Sequence, residues 1–175
     1  EMKRIRTDTM RYRFCSSCTE AIEDKISGDI LEYAVKFQGY NCVMIYSRDK
    51  EKLLFCKRLK DPYEGKYNLV GGKIEDGEDH FDAAYRELFE ETGISRSDVS
   101  LSHMMDFTYY NQKCYVEVYV GILRKKVKLS PEKHPLYWFD VDEDFFDLER
   151  FAGEGNIGHM VEQVKDYGEG VFQDV

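Results

Sequence analysis

The sequence predicts an α/β protein in which helices pack on a mixed β-sheet. Short segments rich in aromatic and β-branched residues recur along the chain and are typical of strands. One segment without Gly or Pro, from Asp79 to Thr92, has the apolar period of a helix. A second amphipathic helix is indicated near the C-terminus. Strands that flank one central helix and are followed by a terminal helix favour a layered α/β/α sandwich, with the central helix packed on the sheet.

The strands are predicted from their composition and from the turns between them. A turn at Ser47–Lys50 joins two of them into a hairpin, and a loop at Asp61–Gly65 precedes a short strand that leads into a glycine pair. The predicted strands are Glu32–Phe37, Tyr40–Tyr46, Lys52–Lys57, Tyr67–Val70, Leu101–Tyr110, Lys113–Leu123 and Leu136–Val141.

The strand Lys113–Leu123 alternates in character along its length. One face is predicted to carry Cys114, Val116, Val118 and Val120. The opposite face carries Tyr115, Glu117 and Tyr119 and is predicted to be polar.

The central helix is predicted from apolar residues that recur at i, i+3, i+4 and i+7, namely Phe81, Ala84, Tyr85 and Leu88. Glu78 and Asp79 lie where acidic groups favour a helix N-terminus, and Gly93 lies where a left-handed residue ends a helix.

The C-terminal part of the chain carries two further helical signals. A helical turn is predicted at Asp144–Phe151. The final amphipathic helix is predicted from the spacing of Ile157, Met160, Val161 and Val164.

Length and composition fit one folded domain. The chain has 175 residues, of which 42% are apolar, so it can bury a full core. We expect an N-terminal extension over residues 1–30, with polar residues at its beginning, and one domain over residues 31–175. No motif indicates the oligomeric state, and we expect a monomer or a homodimer.

The charge of the chain limits its partners. The formal net charge is −9, and the longest basic run is Arg124–Lys126, which disfavours a nucleic-acid polymer as a partner. A small anionic nucleotide stays compatible if a metal ion mediates the contact with its phosphates. No segment has the length and apolarity of a membrane span or of a signal peptide, so we expect a cytoplasmic protein without a membrane partner.

The cysteines leave one alternative open. Cys15 and Cys18 are spaced as two ligands of a zinc ion or as a redox pair, although a second pair is missing. Cys42, Cys56 and Cys114 lie singly in predicted strands, where cysteine behaves as a small apolar residue. The odd count of five indicates reduced thiols.

The central helix also carries a cluster of acidic residues. Glu87, Glu90 and Glu91 stand at i, i+3 and i+4, so their carboxylates crowd one flank of the helix and repel one another. A solvated acidic face is the alternative, but it does not explain the preceding Gly71–Gly72 pair or the adjacent Arg86. Oxygen ligands of this kind favour magnesium over zinc, which prefers His or Cys.

These residues resemble the signature of the Nudix hydrolases. The matching positions are Gly72, Glu78, Arg86, Glu87, Leu88, Glu90, Glu91, Gly93 and Ile94, with no gap in their spacing. The resemblance implies that Glu87, Glu90 and Glu91 bind Mg²⁺, with Mn²⁺ as a substitute, together with the backbone carbonyl of Gly72 or its neighbour. It also implies that Arg86 orients the carboxylates and that Glu78 supports the loop. The expected reaction is attack of water on a phosphorus of a nucleoside diphosphate linked to another group.

Within that family the chain is most similar to the MutT type, which hydrolyses oxidised nucleoside triphosphates. The signature segment, residues 72–94, is called the box below. Residues Tyr67–Glu75, which lead into the box, are similar to the corresponding segment of the MutT type. Glu132 lies six residues before Trp138, as a distal metal-binding glutamate does in MutT, and is expected to act as a ligand or catalytic base. Asn156 lies where MutT places its base-reading asparagine. Glu117 and the box glutamates are alternative bases.

Other substrates and another class of function are also open. Lys57 and Arg58 end a strand near the box and are candidates to bind phosphates. Tyr110 lies near the position of a base-stacking tyrosine in diadenosine polyphosphate hydrolases, and ADP-ribose or nucleotide-sugar hydrolysis is a further alternative. A non-catalytic nucleotide sensor is the alternative of another class, and the complete set of box acids argues against it.

Overall fold

The computed structural model describes the backbone of residues 2–7 and 10–15, and residues 37–172. Its strands are β1 (Met2–Thr7), β2 (Met10–Cys15), β3 (Gln38–Tyr46), β4 (Lys52–Lys57), β5 (Tyr67–Asn68), β6 (Val99–Tyr109), β7 (Cys114–Leu123) and β8 (Leu136–Asp140). Its helices are α1 (His80–Thr92), α2 (Asn156–Tyr167) and a 3₁₀ helix at Gly168–Phe172. Cys18 and most of the predicted strand Glu32–Phe37 lie outside the described residues, as does the predicted domain boundary at residue 30.

The chain divides into two compact units. The first comprises residues 1–38 and 109–114 and contains an antiparallel hairpin of β1 and β2 that pairs Met2 with Cys15. The second comprises residues 39–108 and 115–175 and holds both α-helices.

A six-stranded sheet carries the helices. Its strands follow the order β5-β4-β3-β7-β6, and β8 pairs with β4. The pairs of β4 with β3, β5 and β8 are antiparallel, and a parallel bridge joins Tyr67 to Phe151, which makes the pairing mixed. Strand β5 is shorter than predicted because Val70 forms only an isolated bridge with Val43.

The two faces of the sheet bury different helices. Successive side chains of β3 point to opposite faces of the sheet. Val43 and Ile45 pack with α1 residues such as Leu88. Met44 and Tyr46 pack with residues of α2. The side chains of both clusters are almost fully buried. The predicted α/β/α arrangement is therefore confirmed, and it places the acidic helix and the terminal helix on opposite faces.

Strand β7 differs from its predicted half-polar character. Val118 and Val120 face the α2 cluster, and Tyr119 faces the α1 cluster, so the alternation itself is correct. Both faces are buried, however, and Glu117 is only 9% exposed. Helix α1 covers this face, so the polar group of Glu117 bonds to the protein instead of to solvent.

The segment before α2 is made of turns. Asp144–Phe151 forms successive turns that end in an isolated bridge, and the Phe151 N–H donates to Asp147 O at 2.9 Å, the spacing of a single helical turn. Tyr67 N donates to Arg150 O, and Ala152 N donates to Tyr67 O, so strand-like backbone pairing holds this segment against β5. Among residues 37–172 and the two described N-terminal strands, no helix has both the length and the apolarity needed to cross a bilayer.

Candidate active site

Helix α1 is fixed at both ends by local hydrogen bonds. Asp79 caps its N-terminus, since Asp79 Oδ1 accepts from the N–H groups of Phe81 and Asp82, each at 3.0 Å. Gly93 ends it in the left-handed region at φ 77°, and its N–H donates to Phe89 O at 2.8 Å. The predicted limits are therefore confirmed. With the apolar stripe buried against the sheet, the acidic flank of the helix is left beside the preceding loop.

The Gly71–Gly72 turn lies directly against that flank. Gly71 has φ 137°, a conformation that favours glycine. A Cβ built on Gly72 would stand 2.3 Å from Glu87 Oε2 and 2.4 Å from Glu87 Cδ. The Glu87 carboxylate therefore occupies the space that any side chain at residue 72 would fill.

Arg86 connects the loop to the acids of the helix. Its Nε and Nη2 donate to the two oxygens of Glu78 at 2.7 and 2.9 Å, a bidentate pair. Nη1 donates to Glu87 Oε1 at 2.7 Å and to Glu90 Oε2 at 3.2 Å, and Nη2 also donates to Lys73 O at 3.0 Å. The hydrogen bonds from Arg86 lower the pKa of Glu78, and the hydrogen bond to Glu78 is the largest cause that raises the pKa of Arg86.

Glu91 is held separately from the other two acids. Its Oε2 accepts from Gly71 N at 2.9 Å. Burial raises the pKa of Glu91 to about 7, the Gly71 N–H opposes that shift, and the charges of Glu87 and Glu132 add to it. A carboxylic acid with this pKa exchanges protons near neutral pH.

The donor set of the helix and the turn suits magnesium. Glu87, Glu90 and Glu91 supply hard oxygen donors beside a turn without side chains. Among the described residues, no three His, Cys, Asp or Glu side chains converge as a ready metal site. Arg86 bonds one oxygen of Glu87 and one of Glu90, and the Gly71 N–H bonds one oxygen of Glu91. The residues fit the ion in donor chemistry, and their side chains would hold it after moving closer together.

A second loop reaches the C-terminal end of α1. Ser130 N donates to Thr92 O at 2.8 Å, and Lys57 N donates to Pro135 O at 2.8 Å, so residues 130–135 connect the end of the helix with the end of β4. Glu132 in this loop and Arg58 at the end of β4 both act electrostatically on Glu91. The structure therefore brings two predicted site residues, Glu132 and Arg58, close to the box acids.

Three other predicted residues have different contacts. Lys57 Nζ lies 5.5 Å from the centroid of the Tyr67 ring. Asn156 is the first residue of α2, on the face of the sheet opposite to α1, and its N–H donates to Gly153 O at 2.8 Å. Tyr110 belongs to the first unit, is 77% exposed and packs edge-on against Phe37 at 5.9 Å.

Glu117 has protein partners for both of its oxygens. Its Oε1 lies 2.7 Å from His80 Nδ1, and its Oε2 accepts from the Tyr119 hydroxyl at 2.7 Å. His80 is the first residue of α1. This arrangement anchors the start of the helix to β7 and leaves Glu117 poorly placed to take a proton from water.

Sequence reasoning missed Asn41 and His134. Asn41 Oδ1 accepts from Gly72 N at 3.2 Å, and the Asn41 N–H donates to Gly72 O at 2.8 Å. His134 Nδ1 accepts from Leu59 N at 3.3 Å and thereby ties the loop of Glu132 to the chain after Arg58. A polar residue in the apolar strand that begins near Tyr40 was the signal that could have pointed to Asn41.

The predicted cysteine environments agree with the structure where it describes them. Cys42, Cys56 and Cys114 are free and lie in strands, and burial raises the pKa of the Cys42 and Cys56 thiols to about 12. These two thiols are therefore not reactive thiolates at neutral pH. Cys15 ends β2, and zinc or redox chemistry of Cys15 with Cys18 stays a prediction.

The chain has relatives among known proteins. The chain is 26% identical over 149 residues to the NAD-capped RNA hydrolase NudC of Haemophilus influenzae, which covers 78% of this chain and 54% of that protein. It is 38% identical over 66 residues to an RNA pyrophosphohydrolase of Ruthia magnifica, which covers 37% of this chain and 35% of that protein. The chain thus spans about half or less of the length of these relatives.

A solved structure has the same fold. The C. elegans Ap4A hydrolase in a binary complex superposes with a TM-score of 0.60 at 17% identity, over 73% of this chain and 96% of that chain. At this identity the likeness concerns the fold alone. A model of the NUDIX domain family matches residues 37–156, which include the glycine turn, the whole of α1 and the loop of Glu132. The chain therefore belongs to the NUDIX domain family.

Proposed function

We propose that this protein is a hydrolase that cleaves a nucleoside diphosphate linked to another group, in a magnesium-dependent reaction in which water attacks phosphorus. The observation that carries the proposal is the contact of Glu87 and Glu91 with the Gly71–Gly72 turn, with Arg86 bonded to both Glu87 and Glu90. When bound, Mg²⁺ would neutralise charge on the phosphoryl oxygens and lower the pKa of coordinated water. Glu87, Glu90, Glu91 and a carbonyl of the glycine turn would hold it.

The surrounding residues would orient the reacting groups. Arg86 keeps the loop carbonyl of Lys73 and the Glu78 carboxylate fixed while it bonds to the helix acids. Because the guanidinium is planar and bonds bidentately, it holds both elements in one geometry. Arg58 lies close enough to act on Glu91, so it is a candidate to receive a phosphate of the substrate.

The general base is proposed among Glu91 and Glu132. Glu91 is bonded to the turn and lies beside the proposed position of the metal ion. Glu132 lies on a loop that is tied to the end of α1, and its carboxylate pairs with Lys133 at 2.8 Å. We regard Glu117 as a structural residue because two hydrogen bonds engage its carboxylate.

The proposed substrate is a nucleoside triphosphate, with an oxidised purine such as that of 8-oxo-dGTP as the first candidate. The resemblance of Tyr67–Glu75 to the MutT type and the electrostatic link of Glu132 to Glu91 support this choice. The net charge of −9 favours a small nucleotide whose phosphates are met by metal and a few cations.

A second candidate substrate is the 5′ end of an RNA. The names of the two relatives favour it, since one is an NAD-capped RNA hydrolase and the other an RNA pyrophosphohydrolase. Recognition of one terminal phosphate group does not require an extended basic surface. Diadenosine polyphosphates, ADP-ribose and nucleotide sugars are also nucleoside diphosphates linked to another group, and they are the other candidate substrates.

A substrate screen with and without magnesium tests the proposal. The panel comprises 8-oxo-dGTP, dATP, a diadenosine polyphosphate, ADP-ribose, a nucleotide sugar, NAD and a short 5′-triphosphorylated RNA, with products separated by ion-exchange chromatography. We expect magnesium-dependent release of a nucleoside monophosphate from 8-oxo-dGTP at the highest kcat/KM. Faster cleavage of the RNA would replace the substrate assignment, and binding without cleavage of any compound would favour a nucleotide sensor.

A further inference from the structure

Asn41 is a buried polar residue against the glycine turn. It is 2% exposed, and it lies in β3 among apolar neighbours. Two hydrogen bonds join it to Gly72, one from its main-chain N–H to Gly72 O and one from Gly72 N to its Oδ1. Asn41 thus engages both the donor and the acceptor of the Gly72 backbone.

The contact with Gly71 is equally close. A Cβ on Gly71 would stand 2.3 Å from Asn41 O and 2.9 Å from Asn41 Oδ1. The N–H of Gly71 meanwhile donates to Glu91. Asn41 and Glu91 therefore contact the same glycine, and the position of this glycine depends on both.

One donor of Asn41 has no partner. The Nδ2 atom is buried without a hydrogen bond. The orientation of the amide is fixed, because exchanging Oδ1 and Nδ2 would set a donor against the Gly72 N–H. A buried amide donor without an acceptor is unfavourable, and such groups in folded proteins call for an explanation.

We propose that Asn41 is a positioning residue of the active site, and that its side-chain Nδ2 gains an oxygen acceptor beside the Gly71–Gly72 turn when magnesium binds. The inference rests on the magnesium-dependent function proposed above. Solvent does not reach Nδ2, so the acceptor comes from inside the site. The carboxylate of Glu91, which is bonded to the adjacent Gly71 N–H, is the acceptor that this chain offers there.

The amide can be observed directly by NMR. The chain has four asparagines and 13 glycines, so labelling with ¹⁵N-Asn and ¹⁵N-Gly gives few signals. The side-chain pair that disappears in Asn41→Ala, or in Asn41→Asp if the first variant does not fold, belongs to Asn41. We expect magnesium chloride to shift one Asn41 Nδ2 proton together with the amides of Gly71 and Gly72, and an equal ionic strength of sodium chloride to leave it unchanged.

The same spectra separate the two proposals. Shifts of Gly71 and Gly72 without a shift of the Asn41 amide would overturn the inference and leave the magnesium site intact. An absence of shifts at all three residues would overturn both. A shift that persists unchanged in Glu91→Gln would assign the acceptor to another oxygen and reject Glu91 as the partner of Nδ2.

Magnesium affinity provides a second measurement with a matched control. Ser102 is also buried, at 4% exposure, and its Oγ also has no partner, but it lies in β6. We expect Asn41→Ala to weaken magnesium binding by about ten-fold or more in calorimetry, since it loses charge-assisted hydrogen bonding and the hold on the turn. Ser102→Ala should keep a magnesium affinity within about two-fold of the wild type, because Ser102 lies in β6 and its Oγ makes no hydrogen bond that the substitution would remove. Equal affinity in both variants would overturn the positioning role of Asn41.

Discussion

The carboxylate of Glu91 accepts a hydrogen bond from the N–H of Gly71 at 2.9 Å, although 20 residues separate them in the chain. This bond joins the helix to the glycine turn, and together with the contact of Glu87 on Gly72 it places two acids over consecutive glycines. The proposed magnesium site, the pKa of Glu91 and the geometry of the glycine turn therefore depend on the same few atoms. Substitutions at single residues can separate their effects on activity and on stability.

Removal of one charged ligand should abolish turnover without unfolding the protein. Glu90→Gln or Glu91→Gln would lose charge stabilisation of the phosphoryl group, and we expect kcat to fall by about 10² or more. Glu162→Gln, on the exposed surface of α2 beside Lys165, is the control and should retain wild-type kcat. Steady-state kinetics with saturating magnesium would contradict the metal assignment if either box variant stayed within a few-fold of the wild type.

The raised pKa of Glu91 predicts a pH dependence of stability in the absence of magnesium. Its folded pKa of about 7 exceeds its ordinary value of 4.5, so the folded state binds the proton more tightly. The stability that this group contributes is full below pH 4.5 and is lost as the pH rises to 7. Glu91→Gln mimics the protonated acid and should gain about 2 kcal/mol relative to the wild type between about pH 5 and 8.

Urea denaturation with EDTA at about pH 5, 6, 7 and 8 measures this difference. Glu162→Gln should follow the wild-type curve throughout. If the free energy of unfolding of Glu91→Gln and that of the wild type changed in parallel with pH, burial would not shift the pKa of Glu91.

Magnesium should stabilise the folded protein. The ion binds the folded cluster of Glu87, Glu90 and Glu91 and not the dispersed acids of the unfolded chain, so Tm should rise with concentration as the logarithm of 1 + [L]/Kd. Sodium chloride at matched ionic strength controls for screening of like charges. Thermal melts in which the two salts raise Tm equally would speak for screening and against a bound ion.

A side chain at residue 72 should impair activity. The Cβ of Gly72→Ala would stand 2.3 Å from Glu87 Oε2, so the carboxylate must move away from the turn. We expect kcat to fall by about ten-fold or more, and stability to change little because the displaced atoms are the end of a flexible side chain. Gly170→Ala is the matched control, because a Cβ there meets no atom within 4 Å. Equal activity of the two variants in the same assay would refute a functional role for the close approach of Glu87.

Selectivity for the nucleotide base should show whether Asn156 or Tyr110 recognises that base. If Asn156 reads an oxidised purine, its amide supplies a donor and an acceptor, and Asn156→Ala should reduce the preference for 8-oxo-dGTP over dATP by about ten-fold. If Tyr110 stacks on the base, Tyr110→Ala should weaken many nucleotides by a similar factor. The two variants serve as controls for each other, with kcat/KM measured for both substrates. Unchanged selectivity in Asn156→Ala would reject the reading role.

Local patterns carried most of what the sequence could predict. The limits of α1, its buried stripe and the crowding of Glu87, Glu90 and Glu91 follow from helical periodicity and end signals over about 15 residues. The layered fold follows from the predicted strands that precede and follow that helix along the chain. The glycine pair preceding the helix indicated a close approach, and the structure places Glu87 there.

Long-range pairing was the part that sequence reasoning could not reach. Asn41 and Gly72 are 31 residues apart, and His80 and Glu117 are 37 apart, so no local period connects them. Glu117 was predicted on a polar face because its own strand alternates, while the cover supplied by α1 is a tertiary contact.

The bonds of Arg86 also bear on how tightly a divalent cation can be held. Its guanidinium is already the counterion of Glu78, Glu87 and Glu90, so three negative charges share one positive charge and leave an excess of two. One divalent ion balances that excess. Arg86 bonds Glu87 through Oε1 and Glu90 through Oε2, so a divalent ion would meet carboxylates whose charge is already partly neutralised. The affinity expected for magnesium therefore reflects two cations that share the same carboxylates, and weakening the hydrogen bonds of Arg86 would shift that balance toward the metal.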